Sequence, residues 1–399
     1  QATRSFSTLL ETQPQSNLVP YALLRRAVAY SNQQQYKQAE QDYKKILDEY
    51  MAHSTANSAI LGLQEVTSQS GSGDFSRYLA KYKEANPEDA NVASIEYESA
   101  KNLYFSQQYD RAIQQLQSFV ETYLDNANVP EANYYIGESY YRSGQVDKAL
   151  DMYYTLATVE NHPQSQRIMQ RIAELESSQQ NYANAVTYFQ KLAQTARSKK
   201  QQYNAWQGLM TSYYQLAQQN PDLLDSVDYY AREILEKANI STNAANQASL
   251  YQGRAAYEQG NLDQAEPILS ELVGEAPDEN GAEAQYLLAK IQYDRGNYQQ
   301  SIDALYELNK KFGGYEDWLG KSFLLIAENY EAMDEVFQAK ATLNSIIENS
   351  PDEEVVKTAR ERLAEIEMDE AEQRQQQEAL DSAKQEQDNE IILEEPSNP

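Results

Sequence analysis

Seven short segments of this chain repeat one pattern: an aromatic or aliphatic residue, a small residue three positions later, and apolar residues four and seven positions beyond that. Tyr36, Ala39, Tyr43 and Ile46 make the first copy, and Tyr109, Ala112, Leu116 and Phe119 the next. Val146, Ala149, Tyr153 and Leu156 follow, then Tyr182, Ala185, Phe189 and Leu192. The last three are Leu262, Ala265, Leu269 and Leu272; Tyr298, Ser301, Leu305 and Leu308; and Val336, Ala339, Leu343 and Ile346. From Ala112 to Ala149 to Ala185 the step is 37 and then 36 residues. Spacings of three and four put each set on one face of a helix, where the small residue lets a neighbouring helix come close.

Each such helix needs a partner to bury that face. Twelve residues upstream of every small residue stands another: Ala27, Ala100, Gly137, Ala173, Gly253, Ala289 and Ala327. The spacing predicts a first helix, a tight turn and the second helix already described. Gly144, Gly260 and Gly296 fall in that turn, where a left-handed backbone ends a helix. Pro277 and Pro351 follow second helices that they cannot continue. With 41% apolar residues and few glycines and prolines, the chain reads as all-α.

Helix pairs with these small, aromatic and proline positions resemble the tetratricopeptide repeat family, whose units are nominally about 34 residues long. The resemblance covers residues 1–352 and is sharpest at residues 249–277 and 323–351. It departs in that the family's first-helix tryptophan appears only at Trp206, and also at an insertion over residues 70–73 and at the turn lengthened by Asn220 and Pro221. The resemblance implies an α-solenoid, a right-handed superhelix of antiparallel helix pairs. Residues 1–19, with Ala2, Phe6, Leu9 and Pro14, match the second half of a truncated repeat, so further repeats upstream are expected. About nine repeats occupy residues 20–352, and residues 353–368, with Val355, Val356, Ala359, Leu363 and Ile366, form a capping helix. Residues 369–399 are acidic and rich in Gln and Glu. They bury too little to offset ordering entropy, and are expected to be disordered beyond a frayed extension of the cap.

Little in the chain suggests catalysis. Cysteine is absent and only His53 and His162 are present, so metal sites and nucleophile–base pairs have few candidates, and no cofactor is expected. Asp352, Glu353 and Glu354 sit at a helix start, where carboxylates meet the helix dipole favourably. The sequon at Asn239, Ile240 and Ser241 stands alone. A net charge of -28 repels nucleic acid phosphates and anionic lipid surfaces. No apolar run approaches the ~20 residues that span a bilayer.

The first helices carry the candidate binding residues. Tyr104, Tyr141, Tyr214, Tyr257 and Tyr293 lie four residues after the small residue of their helix, and Tyr97, Tyr134 and Tyr286 three before it, which puts them along one face. Lys101, Arg254, Lys290 and Arg142 interleave with these rings, while Glu138, Glu174 and Glu328 occupy the same register elsewhere. Tyrosine combines a rigid apolar ring with a hydroxyl, so the row reads either as a contact surface or as packing between neighbouring helices. In the resembled family this face lines the concave groove, which implies a non-catalytic scaffold holding a protein or peptide segment. The lysine and asparagine clamp of the chaperone-binding members is not reproduced. Units of 36 to 38 residues with Gln-, Asn- and Tyr-rich surfaces also resemble the large envelope repeat proteins of Bacteroidota, which implies a periplasmic or outer-membrane-associated assembly. A cytoplasmic scaffold, or the docking region of an enzyme whose catalytic domain lies upstream of Gln1, remains the alternative.

Overall fold

The computed structural model describes residues 2–70, 75–87, 89, 91–238 and 240–393, and among them every regular element is helical. Residues 71–73 of the expected insertion and Asn239 of the sequon lie outside the described residues. The chain divides into two compact units, Gln1–Leu175 and Glu176–Pro399.

The first unit holds α1 (Ala2–Thr12), α2 (Val19–Ser31), α3 (Tyr36–Glu49), α4 (Thr55–Ser70), α5 (Phe75–Ala85), α6 (Val92–Phe105), α7 (Tyr109–Thr122), α8 (Val129–Arg142), α9 (Val146–Ala157) and most of α10 (Ser165–Ser178). Sequence neighbours α2 and α3, α6 and α7, and α8 and α9 pack as pairs. The second unit begins in the last turn of α10 and continues with α11 (Tyr182–Thr195), α12 (Lys199–Ala217), α13 (Leu224–Lys237), α14 (Thr242–Glu258) and α15 (Leu262–Glu275). Then come α16 (Glu279–Asp294), α17 (Tyr298–Lys311), α18 (Glu316–Ala332), α19 (Val336–Asn349) and α20 (Glu353–Leu393). The lengthened turn at Asn220 is a short 3-10 segment, Pro221–Leu223, ahead of α13.

The repeated small residues are where the helices touch. Ala27, Ala100, Ala173, Ala289 and Ala327 on first helices, and Ala39, Ala112, Ala149, Ala185, Ala265, Ser301 and Ala339 on second helices, are all 0% exposed. Where the first helix carries glycine the approach is closer still. A Cβ on Gly253 would stand 2.5 Å from a Leu269 methyl, so that position accepts nothing larger without repacking. Five residues before each second-helix small residue the backbone turns left-handed. Gly144, Gly260 and Gly296 supply it as expected, with φ of 77°, 76° and 76°. Gln34, Gln107, Gln180 and Asp334 hold the same position with φ of 59° to 63°, so the other units accept the strain of a Cβ there.

The end of the chain corrects one expectation. Residues 369–393 are not unstructured: α20 runs unbroken from Glu353 to Leu393. Its first turns bury Val355, Ala359 and Ile366 against α18 and α19, and Lys340 of α19 bonds Glu370 at 2.9 Å. Beyond that anchor, residues 371–384 are exposed throughout. Gln, Glu, Ala, Lys and Arg all favour helix without burial, and i,i+4 pairs such as Gln377 with Asp381 add to it. Lack of apolar pattern forbids packing; it does not forbid a helix continued from a packed one.

Candidate binding surface

In the first unit the predicted row separates into two layers. Tyr97 and Tyr134 are buried, at 1% and 4% exposure, and so are packing residues rather than contact residues. The Tyr97 ring lies 5.5 Å from Phe119 of the paired second helix, and burial holds its phenol well above the usual range. Tyr134 stands 5.5 Å from Tyr135 and 6.5 Å from His162. Lys101 covers Tyr97, with its ammonium 5.0 Å from the ring centroid, and pairs with Glu98 at 3.2 Å and Glu131 at 4.0 Å. Tyr104 and Tyr141 are half-buried and Arg142 is exposed.

The centre of this face is Glu138, which lies 3% exposed on α8 rather than forming part of a solvated charge row. Its Oε1 accepts from Tyr153 of α9 at 2.6 Å and from Arg171 Nε of α10 at 3.0 Å. Its Oε2 accepts from Tyr104 of α6 at 3.4 Å and from Arg171 Nη2 at 3.4 Å. Four helices thus meet on one carboxylate. Burial alone would raise its pKa, but the bonds from Arg171 and Tyr153 outweigh that and hold it below 4.5. Arg171 also lies 4.3 Å from the Tyr141 ring centroid, a cation–π contact. The signal that could have located this network is the 33-residue separation of Glu138 and Arg171, nearly one repeat.

The outer layer of this face is aromatic. Tyr104 and Tyr135 have centroids 5.0 Å apart, and Phe105 lies 5.2 Å from the first and 5.7 Å from the second. Phe105 is 60% exposed although both its neighbours are anchored. It ends α6 one residue after Tyr104, a position outside the i,i+4 row, which is why the periodicity passes over it.

The first helices of the second unit repeat the layering. Tyr214 donates to Glu258 at 2.6 Å and Tyr257 to Asp294 at 2.7 Å, each from one first helix to the next. Burial, then the Asp294 bond, raises the Tyr257 phenol. Arg254 is not a free groove cation: it grips Glu283 through two nitrogens, and the two side chains are 18% and 12% exposed. Reversing its charge would therefore test the fold before any partner. Lys290 lies 5.7 Å above the Tyr257 ring, and Tyr293 meets Tyr298 at 5.5 Å. Tyr286 is half-buried beside Trp318 at 5.5 Å, and Lys321 caps that indole at 4.0 Å. Burial pushes the Tyr286 phenol up to about 12.

The two histidines serve turns. His53 Nδ1 accepts from the Thr55 amide at 3.2 Å, and His162 Nδ1 from the Gln164 amide at 3.1 Å, while its Nε2 lies 3.2 Å from the Pro130 carbonyl. Among the described residues no group of three or more His, Asp or Glu side chains is placed to hold a metal ion. No helix among them is long and apolar enough to cross a membrane.

Paired helices, seven of the pairs joined by a left-handed turn and packed through a repeated small residue, define an all-α helical-repeat protein. Tetratricopeptide repeat profiles match residues 97–165, 215–280 and 252–314 in one form and 21–50 and 321–353 in another, together more than half of the sequence. The chain belongs to the tetratricopeptide repeat family, and the repeats imply a protein-interaction scaffold. No curated protein matches the sequence. Among solved structures, a tetratricopeptide repeat protein from Parabacteroides merdae is 15% identical, with TM-score 0.41, over 67% of this chain and 96% of that one. The C-terminal part of a repeat protein from Cytophaga hutchinsonii is 18% identical, with TM-score 0.43, over 61% and 91%. A signal-transduction ATPase with a tetratricopeptide repeat sensor from Pyrococcus horikoshii is 13% identical, with TM-score 0.45, over 80% and 50%.

Proposed function

We propose that the chain is a non-catalytic scaffold whose first-helix faces hold an extended segment of a partner protein. The observation that carries this is the aromatic patch at Phe105: an exposed ring held between Tyr104 and Tyr135, with Tyr104 tied to Glu138. A ring fixed in advance loses little entropy on association, which is the condition under which aromatic side chains contribute most to binding. Tyr293, half-buried on α16, holds the register of Tyr104 in the second unit. The test is photo-crosslinking in the native cell, with a benzophenone side chain at residue 105 or 293 and, for contrast, at Phe337, an 82% exposed ring on the second helix α19. The same discrete adduct from the first-helix positions and none from residue 337 is expected. Adducts from residue 337 alone would move the binding surface to the second helices.

We further propose that this work is done in a bacterial cell envelope, in the periplasm or at the outer membrane. The support is the resemblance of its 36- to 38-residue, Tyr- and Gln-rich units to envelope repeat proteins. Fractionation of the native cell should place the full-length protein with envelope markers, and recovery with the cytoplasmic fraction would sink the proposal.

A further inference from the structure

Between α5 and α7 the first unit holds a cleft of about 380 Å³. Leu79, Ala80 and Lys83 of α5 line it on one side, Ser118 and Phe119 of α7 on the other, and Glu96 of α6 joins them. Leu79 and Phe119, otherwise buried, give the cleft an apolar surface. Phe119 is held between Tyr97 and Tyr123, with ring centroids 5.5 and 5.2 Å away, so it cannot swing in to fill the space. Ala80 and Ser118 are exposed and too small to fill it. One ion pair shares this cleft: Lys83 Nζ lies 2.5 Å from Glu96 Oε1, and Tyr123 donates to Glu96 Oε2 at 2.5 Å. The two side chains are 37% and 22% exposed, so both charges stay within reach of a ligand. An ammonium has three donors and a carboxylate about four acceptor sites, of which these bonds take one and two.

We propose that this cleft binds a small zwitterion with an apolar side chain, a free α-amino acid of the leucine kind. Its carboxylate accepts from Lys83 and its ammonium donates to Glu96, which sets four charges in alternating sign, while the side chain lies on Leu79 and Phe119. A ligand that is only an anion meets Glu96 as a like charge, and one that is only a cation meets Lys83. A neutral apolar ligand would take water from the ion pair and return no hydrogen bond. The volume stands at the lower end of the range of about 300–1,000 Å³ for ligand sites, which suits a molecule of this size. A zwitterion also has no net charge for a chain of net charge -28 to repel.

The test is a ligand-observed NMR titration of the full chain with L-leucine, its decarboxylated counterpart 3-methylbutylamine and its deaminated counterpart 4-methylpentanoate. L-leucine should bind saturably, with a dissociation constant of about 1 mM or below, and each counterpart at least about tenfold more weakly. Ala80→Leu fills the cleft without removing a bond, and should abolish leucine binding without lowering Tm. Lys83→Gln should weaken leucine at least about tenfold and end its advantage over the amine, again with Tm little changed, because a half-exposed pair contributes little to stability. No saturable binding of leucine, equal affinity for either counterpart, or wild-type binding by either variant overturns the proposal.

Discussion

Glu138→Ala should destabilise the unit formed by residues 1–175 by about 3–5 kcal/mol, the range found when one partner of a buried pair is removed. The size follows from what remains. Arg171 would stay half-buried without its principal counterion, and Tyr153, 0% exposed, would lose the acceptor of its 2.6 Å bond. Urea unfolding of the full chain, followed by Tyr fluorescence and circular dichroism, measures the loss. Glu138→Leu combined with Arg171→Met should recover most of it, because a paired apolar replacement leaves no orphan charge. The carboxylate also sets a pH dependence. Its folded pKa is depressed below the ordinary 4.5, so its contribution is fully present above pH 4.5 and is lost as pH falls through the lower folded value. Glu138→Gln should therefore lose less stability on acidification below pH 4.5 than the wild type does. Parallel acid curves would mean that the carboxylate is not held by the network described.

Gly281→Ala should cost about 3 kcal/mol, the upper part of the range for overpacking, although alanine is the better helix former. A Cβ at that position would stand 1.9 Å from the Ala276 carbonyl oxygen and 3.0 Å from the Phe312 ring. The first of these is backbone, in the turn that brings α15 into α16, so relief requires moving the turn itself. Two other glycines calibrate the result. At Gly144 a Cβ meets nothing within 4 Å, and φ is 77°, so alanine there should cost only the backbone strain of about 1–2 kcal/mol. At Gly274, helical and equally open, alanine should stabilise by about 0.5–1 kcal/mol. Chemical denaturation of the three variants gives the order, and a Gly281 variant as stable as the Gly274 variant would contradict the close turn.

Much of this fold can be read from spacing because a repeat must bury the same face in every unit. Ala112, Ala149 and Ala185 had to be small and helical, and each is completely buried. The left-handed turn was visible only where glycine marks it. Gln34, Gln107 and Gln180 hide the same conformation, because one residue's strain of ~1–2 kcal/mol is small beside the packing that follows. The candidate surface was less legible. Positions three before and four after the small residue share a helix face, yet Tyr97 is covered by Phe119 while Tyr104 reaches the surface. Which end of a helix its partner covers depends on the neighbouring helix, which periodicity along one helix does not encode. Charge misled in the same way at Arg254 and Glu138, whose partners lie 29 and 33 residues away. The Gln- and Glu-rich end of the chain carries no apolar pattern to mark its order, because its helix continues from a packed one and rests on helix propensity rather than burial.

In the proposed function, exposed rings on the first-helix faces hold the partner while the layer beneath holds the fold. Its most direct test is the affinity of the protein captured by crosslinking at residue 105 for wild type and for Phe105→Ala, measured by calorimetry alongside Tm. Truncating this 60% exposed ring should weaken binding by about 2 kcal/mol, roughly thirtyfold, with Tm unchanged. Unchanged affinity, or a fall in Tm that accounts for the weaker binding, would contradict it.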